Sequence, residues 1–285
     1  MSPIARATLR EMRLTLAGTA GIMLILTVWV CAVYPSFRSS FGDLELPAGY
    51  EAFVGEAGSL ASPAGFLSAE YFSWIPALLA GVAIAIGTRS IGGEESEGTL
   101  EILLAQPISR TRVLVEKSVT LAAGILLVAA LMIPAFAIGL PLGDLDIALW
   151  RVAVALGLLG LLALVYLMLG IWLSALLPSR RLAAVVASGA LIAGYFLNTL
   201  GAAVPAIDPW RLISPLYWSD ASLVLTGDFG WWRLLALIAA PIVLWLLAHD
   251  AFCRREVGSG IGAWPRLRVS RRRAARAQGR SGADA

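Results

Sequence analysis

Six long runs of apolar residues, separated by polar and charged segments, set the pattern of this 285-residue chain. A helix needs about 20 consecutive apolar residues to cross a hydrocarbon core about 30 Å thick, and each run has about that length. The runs cover residues 14 to 34, 71 to 88, 118 to 140, 149 to 177, 182 to 204 and 231 to 252. They are too long and alternate too little for barrel strands, and backbone in lipid must satisfy its own hydrogen bonds. The pattern therefore predicts an all-α polytopic membrane protein with six transmembrane helices.

The first run follows a basic segment, an arrangement that also occurs in signal peptides. Arg6, Arg10 and Arg13 precede it, but the run is longer than the apolar core of a usual signal peptide. We therefore expect an uncleaved first helix.

Composition supports the membrane class for the chain as a whole. Hydrophobic residues make up 59% of it and charged residues 14%, and the mean hydropathy is +0.80. In soluble domains about a quarter of the residues are charged. A soluble globular protein is therefore excluded.

Positive charge gathers on one side of the predicted spans and sets their orientation, because cytoplasmic flanks accumulate Lys and Arg. With both termini in the cytosol, that side holds 18 of the 22 Lys and Arg residues, and ten acidic residues from Asp43 to Asp228 lie outside. Tryptophan rings favour the membrane interface. At or near the predicted outer boundary lie Trp74, Trp150, Trp210, Trp218, Trp231 and Trp232. We therefore predict cytosolic N- and C-termini, outer loops at 35–70 and 205–230, and an inner loop at 89–117.

Two segments outside the spans have simple expected roles. Residues 205–230, rich in Pro and aromatic side chains, are expected to lie along the outer interface as a lid on the bundle. Residues 253–285 form a basic cytosolic tail, for which nucleic-acid binding is possible in principle. Anionic lipid is the better partner, since each Arg near such a surface adds about 1 kcal/mol of attraction. We expect no nucleic-acid partner.

Chemistry-bearing residues are scarce in the spans, which argues against several classes of function. Apart from Arg151, Arg233 and Asp250 near helix ends, the runs contain no charged residue or histidine other than His249. Proton- and ion-coupled carriers usually keep an ionisable group inside the membrane. The chain also lacks the GxxxxGK[ST] loop that cradles nucleotide phosphates. We expect no catalytic, metal or cofactor site, and any ATP must be bound by another subunit.

Small residues recur at helical spacing in two spans, where they would let helices approach closely. Ala77, Gly81 and Ala85 form such a stripe in the second span, and Ala190 and Gly194 form one in the fifth. Asn198, the strongly polar amide of the fifth span, is expected to form an interhelical hydrogen bond.

The inner loop 89–117 contains the start and stop signals of a helix between two transmembrane helices. Gly92 and Gly93 are expected to end the second span, and Thr99 to cap a new helix. Glu101 in its first turn would suit the helix dipole. The leucines at 100, 103 and 104 share one face of this short helix.

The end of the loop is predicted as clearly as its start. Pro107 would stop the short helix, and Ser109 would cap the next one, which runs through Arg110 and Lys117 into the membrane. The sequence therefore predicts an amphipathic helix exposed to the cytosol. A helix lying on the lipid surface is the alternative, but the cluster of glutamates disfavours anionic lipid as its partner.

In this loop the chain resembles the permease subunits of ABC transporters of the second type, in the branch with six helices per subunit. The resemblance rests on an acidic cluster, Gly-Thr-Leu-Glu, a short apolar helix, Pro-x-Ser-Arg and a later Lys. The matching residues are Glu94, Glu95, Glu97, Gly98, Thr99, Leu100, Glu101, Leu103, Leu104, Pro107, Ser109, Arg110 and Lys117. The motif covers about 30 residues, and the six-helix layout extends the likeness over nearly the whole chain.

The resemblance implies a function and its partners. Loop 89–117 would couple the transmembrane domain, residues 14–252, to two cytosolic ATPase subunits that carry ATP and Mg²⁺, and residues 1–13 would form an elbow helix on the inner leaflet. A second copy or a related permease would complete the complex in a prokaryotic plasma or inner membrane. The expected function is ATP-driven export of a hydrophobic or amphipathic compound, such as a drug, an antibiotic or a lipid-like molecule. A scaffold that recruits a cytosolic partner through the same loop is the first alternative, and a membrane-embedded enzyme the second.

Overall fold

The structure, a computed structural model, describes residues 2–41, 62–96, 109–227 and 229–254. These residues form helices and connecting turns, with no strand among them. The α-helices are α1 (Pro3–Phe41), α2 (Pro63–Leu67), α3 (Ile75–Ser96), α4 (Arg110–Leu142), α5 (Leu149–Leu176), α6 (Arg180–Ala203), α7 (Pro215–Trp218), α8 (Ala221–Thr226) and α9 (Trp231–Arg254). A π-helix (Ser68–Phe72) lies between α2 and α3, and a 3₁₀-helix (Asp208–Ile213) precedes α7.

Six of these segments are long and apolar enough to cross a membrane, which confirms the predicted fold class. The predicted apolar runs correspond to α1, the π-helix with α3, α4, α5, α6 and α9, and those at 149–177 and 182–204 end one residue beyond their helices. Two spans begin well before their runs. The first begins at Pro3, and the second span begins at Pro63, because α2 and the π-helix lead into α3. The basic tail 255–285 lies outside the described residues.

Helix α5 lies at the centre of the bundle. It is the most buried of the six spans and packs against α3, α4, α6 and α9. Helix α1 packs mainly on α4. By contrast, α6 and α9 are the least buried spans and present most of their surface to the outside of the bundle. In lipid that apolar surface needs no protein cover.

A close backbone contact between two spans is made by glycines other than those predicted. A methyl group on Gly87 would lie 2.5 Å from the Leu167 carbonyl oxygen, and one on Gly170 would lie 3.1 Å from the Ile84 carbonyl oxygen. These positions let the backbones of α3 and α5 touch, as small residues do between membrane helices. Gly81 of the predicted α3 stripe faces open space within this chain, so it takes no part in this contact.

In helix α6 the small-residue prediction holds only for Gly194, since Ala190 is exposed, and a polar prediction is contradicted. Gly194 lies close to other atoms, since a methyl group there would be 3.2 Å from Ser214 Oγ. The amide oxygen of Asn198 is buried but has no hydrogen-bond partner among the described residues, so the expected interhelical bond through that oxygen is absent.

An internal polar contact fixes the π-helix against the first span. The hydroxyls of Thr27 and Tyr71 are 2.8 Å apart and both side chains are buried. Tyr71 also packs edge-on against Phe136, with ring centroids 5.0 Å apart. Since a buried hydroxyl without a partner is costly, this pairing specifies how α1, α4 and the second span fit together.

The outer segment after α6 folds partly into the bundle, whereas a lid along the interface was expected. The 3₁₀-helix Asp208–Ile213 has no buried residue, as a surface position requires. Ser214 is buried and donates a hydrogen bond to the Gly194 carbonyl, 2.9 Å away. All residues of α8 from Ala221 to Leu225 are also buried. The second half of the segment therefore packs into the bundle.

Candidate functional site

The structure describes the two arms of the predicted coupling loop and not its centre. Glu94 and Glu95 lie in the last turn of α3, and Ser109, Arg110 and Lys117 lie at the start of α4. Outside the described residues are Glu97, Gly98, Thr99, Leu100, Glu101, Leu103, Leu104 and Pro107. The amphipathic helix between the arms stays a prediction.

The predicted cap of the second arm is confirmed. Ser109 has an extended backbone, with φ −67° and ψ 142°, and its hydroxyl oxygen accepts a hydrogen bond from the Arg112 amide at 3.3 Å. A serine in this position satisfies one of the amides that a helix start leaves open. The chain between the arms therefore enters α4 at a defined residue.

The first arm does not end where the glycine pair suggested. Helix α3 continues through Gly92 and Gly93 to Ser96. The two glycines serve packing instead, because a methyl group on Gly92 would lie 3.2 Å from Arg180 Cβ and one on Gly93 only 2.9 Å from Arg89 Cγ. The absence of side chains lets the start of α6 and the arginine side chain of α3 lie over this turn.

A buried lysine joins the two arms. Lys117 is 3% exposed, and its Nζ donates a hydrogen bond to the Ser90 carbonyl oxygen 2.8 Å away. A buried ammonium group must find polar partners, since leaving water without them is expensive. The bond therefore holds α4 to α3 a few residues before the loop begins.

The start of α1 contacts both arms. Glu11 forms an ion pair with Arg89 of α3, with 2.9 Å between carboxylate oxygen and Nε. Ser2 donates a hydrogen bond to Glu116 of α4, which also accepts one from Arg112 at 2.9 Å. Residues 2–11 therefore contact both of the helices between which the loop runs.

Residues 2–11 belong to the segment for which an elbow helix was predicted. They are helical, but they continue into the first span without a break, since α1 runs from Pro3 to Phe41. An orientation along the inner leaflet stays a prediction.

The end of α9 contacts the second arm, a connection that sequence reasoning missed. The hydroxyl of Thr111 and Nε2 of His249 are 3.0 Å apart, and Arg110 donates to the Phe252 carbonyl at 3.3 Å. The ring of His249 also stacks on Trp245, with centroids 5.7 Å apart. A lone histidine at a helix end carries no pattern that reveals its partner, which lies 138 residues away in the chain.

Polar contacts between four helices surround the two ends of the loop. Across the described ranges, no three His, Cys, Asp or Glu side chains converge on a possible metal position. Instead, hydrogen bonds and ion pairs join α1, α3, α4 and α9 around the roots of one loop, all at the same end of the bundle. This is a multi-pass membrane protein in which the two arms of the loop are bonded to one another, to α1 and to α9.

The comparison with protein families agrees with this class. The family model of the ABC-2 family transporter proteins matches residues 4–207, and the chain belongs to that family. Its members are typically non-catalytic membrane subunits that generally pair with ATPase subunits. No curated protein matches the chain.

Proposed function

We propose that the chain is the membrane-spanning subunit of an ATP-binding cassette exporter, and that loop residues 97–108 dock on a separate cytosolic ATPase. Family membership supports the permease class. The observation that carries the coupling role is the bonding of both loop arms to one another and to α1 and α9. A displacement that reaches these arms is passed on to α1, α3, α4 and α9.

The docking surface follows from the chemistry of the loop. Leu100, Leu103 and Leu104 would enter an apolar groove of the ATPase, where buried apolar anchors supply most of the affinity. The glutamates at 94, 95, 97 and 101 would set the register through charge complementarity. Nucleotide-driven closure of two ATPase subunits would then push on the loop.

The contacts at the two ends of the loop determine which helices move when the loop is displaced. Through Lys117 and Ser90 the two arms move together, and through Glu11 and Arg89 the first arm pulls on α1. The Ser109 cap keeps the start of α4 helical, so that displacement of the loop shifts the helix instead of unwinding it. The mechanism is a rigid-body shift of helices around a packed core.

The complete exporter contains two ATPase subunits and a second permease, either a copy of this chain or a relative, in a prokaryotic plasma or inner membrane. ATP and Mg²⁺ bind to the ATPase subunits. The cargo is hydrophobic or amphipathic: a drug, an antibiotic or a lipid-like compound. Spans without charged residues at mid-membrane favour such a cargo over an ion.

Co-purification of the full chain with ATPase subunits from the same cell tests the docking role. Leu104→Asp places a charge in the proposed apolar anchor and should reduce recovery of the ATPase at least about tenfold, the effect of 1.4 kcal/mol. Leu267→Asp makes the same change in the basic tail and should leave recovery unchanged. Equal recovery with both variants would overturn the proposal.

Measurement of ATP hydrolysis separates an exporter from a scaffold. In the reconstituted complex, Glu95→Ala combined with Leu104→Ala should disconnect hydrolysis from the permease, so that its rate falls to that of the ATPase alone. Stable binding of the ATPase by the unchanged permease, with no effect on hydrolysis, would favour the scaffold.

A further inference from the structure

A groove opens between α6 and α9 at the surface of the bundle. Its floor is α5, residues 213–218 line its outer end, and its volume is about 650 Å³. Cavities of roughly 300–1,000 Å³ are the usual size of small-molecule sites. Apart from Tyr166 and Ser214, the side chains around it are apolar or tryptophan, so hydrocarbon is the natural filling. Because α6 and α9 are the least buried spans, the groove faces the bilayer.

The groove has a polar feature on its floor. Tyr166 is 2% exposed, and its hydroxyl has no hydrogen-bond partner among the described residues. A methyl group on Gly194 would lie 3.4 Å from that hydroxyl and 3.2 Å from Ser214 Oγ, so both oxygens border the same small space. Most buried hydroxyls are hydrogen-bonded, and an unpaired one in a cavity points to a missing partner.

Two arginines lie at the outer end of the same groove. The side chain of Arg211 packs over Gly201, four residues and one turn beyond the lining residue Leu197 on the same face of α6. On α9, Arg233 precedes the lining residue Ala236 by three residues and so shares its face. The two arginines therefore place positive charge just beyond the apolar lining residues, on the same faces of α6 and α9.

The two guanidinium groups converge on one ring. Their carbons lie 4.7 Å (Arg211) and 4.1 Å (Arg233) from the centroid of Tyr217. Asp208 offsets part of this charge, at 3.2 Å from Arg211, but its side chain is 58% exposed. Arg211 Nε is buried without a hydrogen-bond partner among the described residues. Arg233 is 8% exposed and donates to the Tyr217 carbonyl at 2.7 Å.

We propose that this groove binds an anionic phospholipid of the bilayer, with its phosphate beside Arg211 and Arg233 and one acyl chain lying along the groove toward Tyr166. Charge at the membrane-interface end, an apolar channel of chain-like extent and an opening to lipid together fit this class of ligand. Arginine suits a phosphate because its planar fork can donate two parallel hydrogen bonds. The binding concerns this subunit alone and does not depend on the coupling loop.

Quenching of Trp218, which lines the groove, tests the proposal. The full-length protein is placed in phosphatidylcholine vesicles that contain either phosphatidylglycerol or phosphatidylcholine with the same dibrominated acyl chains. The signal of Trp218 is the difference between the wild type and Trp218→Phe. It should be quenched at about 25-fold lower mole fraction of the brominated anionic lipid, as expected for two arginines that each add about 1 kcal/mol near anionic headgroups.

Matched variants identify the groove as the source of that preference. Arg211→Gln and Arg233→Gln should each lower it about fivefold, whereas Arg151→Gln should not. Arg151 is also an outer arginine, but it bonds to the Leu225 carbonyl on another face. Arg211→Gln answers the question even if the more buried Arg233→Gln fails to fold. Ala240→Leu narrows the groove and should reduce quenching of Trp218 by both brominated lipids.

Three results would overturn the proposal. They are equal quenching of wild-type Trp218 by the two lipids, an equal loss of preference in Arg151→Gln and Arg211→Gln, and no quenching at all, as when a second copy of the chain fills the groove. Since no ATPase is present, none of these results bears on whether the chain is an exporter subunit.

Discussion

At the scale of single residues, the end of the bundle that carries the loop between α3 and α4 depends on side chains that satisfy polar groups in unusual places. Lys117 places its ammonium group against a backbone carbonyl of the neighbouring helix, and Ser109 completes the first turn of α4. The cap could be predicted because its signal is local: a serine follows a proline and precedes an apolar run. The lysine bond could not, because Ser90 lies 27 residues away and backbone acceptors have no sequence signature.

Replacement of Lys117 tests the bond between the arms. Lys117→Met removes the charged donor while keeping similar bulk and should lower the free energy of unfolding by about 1.5–3 kcal/mol, the range for a hydrogen bond to a charged group. Lys117→Gln keeps a donor and should cost less. Denaturation in detergent micelles measures both, and equal stability of the two variants would contradict the assigned role.

The cap at Ser109 makes a local prediction. Ser109→Ala should destabilise the first turn of α4 by about 1 kcal/mol, whereas Ser109→Asp should preserve it, because either hydroxyl or carboxylate oxygen can accept from the Arg112 amide. Hydrogen exchange of residues 110–113 reports this turn directly. Unchanged exchange in Ser109→Ala would show that the cap contributes nothing.

At the scale of elements, the six spans follow from the length of the apolar runs, but their packing does not. The spacing of Ala77, Gly81 and Ala85 suggested the close face of α3, whereas the contact with α5 uses Gly87. Glycine serves equally for close approach and for open positions, so its presence does not say which face meets a neighbour. The ends of α3 were misjudged for the same reason, since Gly92 and Gly93 make room for Arg180 and Arg89 and do not stop the helix.

The two glycines of α3 should respond oppositely to the same change. Gly87→Ala forces a methyl group against the Leu167 carbonyl and should destabilise the protein by about 1–3 kcal/mol, as overpacking does. Gly81→Ala meets open space and should be neutral or stabilising by up to about 1 kcal/mol, because alanine favours helix. Thermal unfolding in detergent separates them, and a loss at both positions would place the contact elsewhere.

At the scale of the whole molecule, the distribution of charge predicted which helix ends lie on the same side of the bundle. The residues assigned to the cytosolic side meet at one end of the bundle: Glu11 meets Arg89, and Thr111 meets His249. The outer segment was harder to predict, because the same Pro and aromatic residues suit a surface lid and a buried wedge. Burial of Ser214 and α8 is decided by tertiary packing on α5 and α6, which no local pattern encodes.

Labelling of single cysteines tests the orientation of the chain. A cysteine at Ser59 should react with a membrane-impermeant maleimide in intact cells, and one at Ser96 should react only after the membrane is opened, because the first lies in the predicted outer loop and the second at the root of the inner one. Cys253 is exposed and must first be replaced by serine, whereas Cys31 is buried. The reverse pattern of labelling would invert the topology and remove the coupling loop from the cytosol.

The central claim, that the loop between α3 and α4 touches an ATPase, is tested most directly by a photo-cross-linking residue at position 104 of the full chain in living cells. The predicted result is a covalent product with a cytosolic protein that mass spectrometry identifies as an ATP-binding cassette ATPase. The same cross-linker at position 267 in the tail should give little or none of it. Products with lipid alone at position 104, in cells that contain the ATPase, would contradict the account.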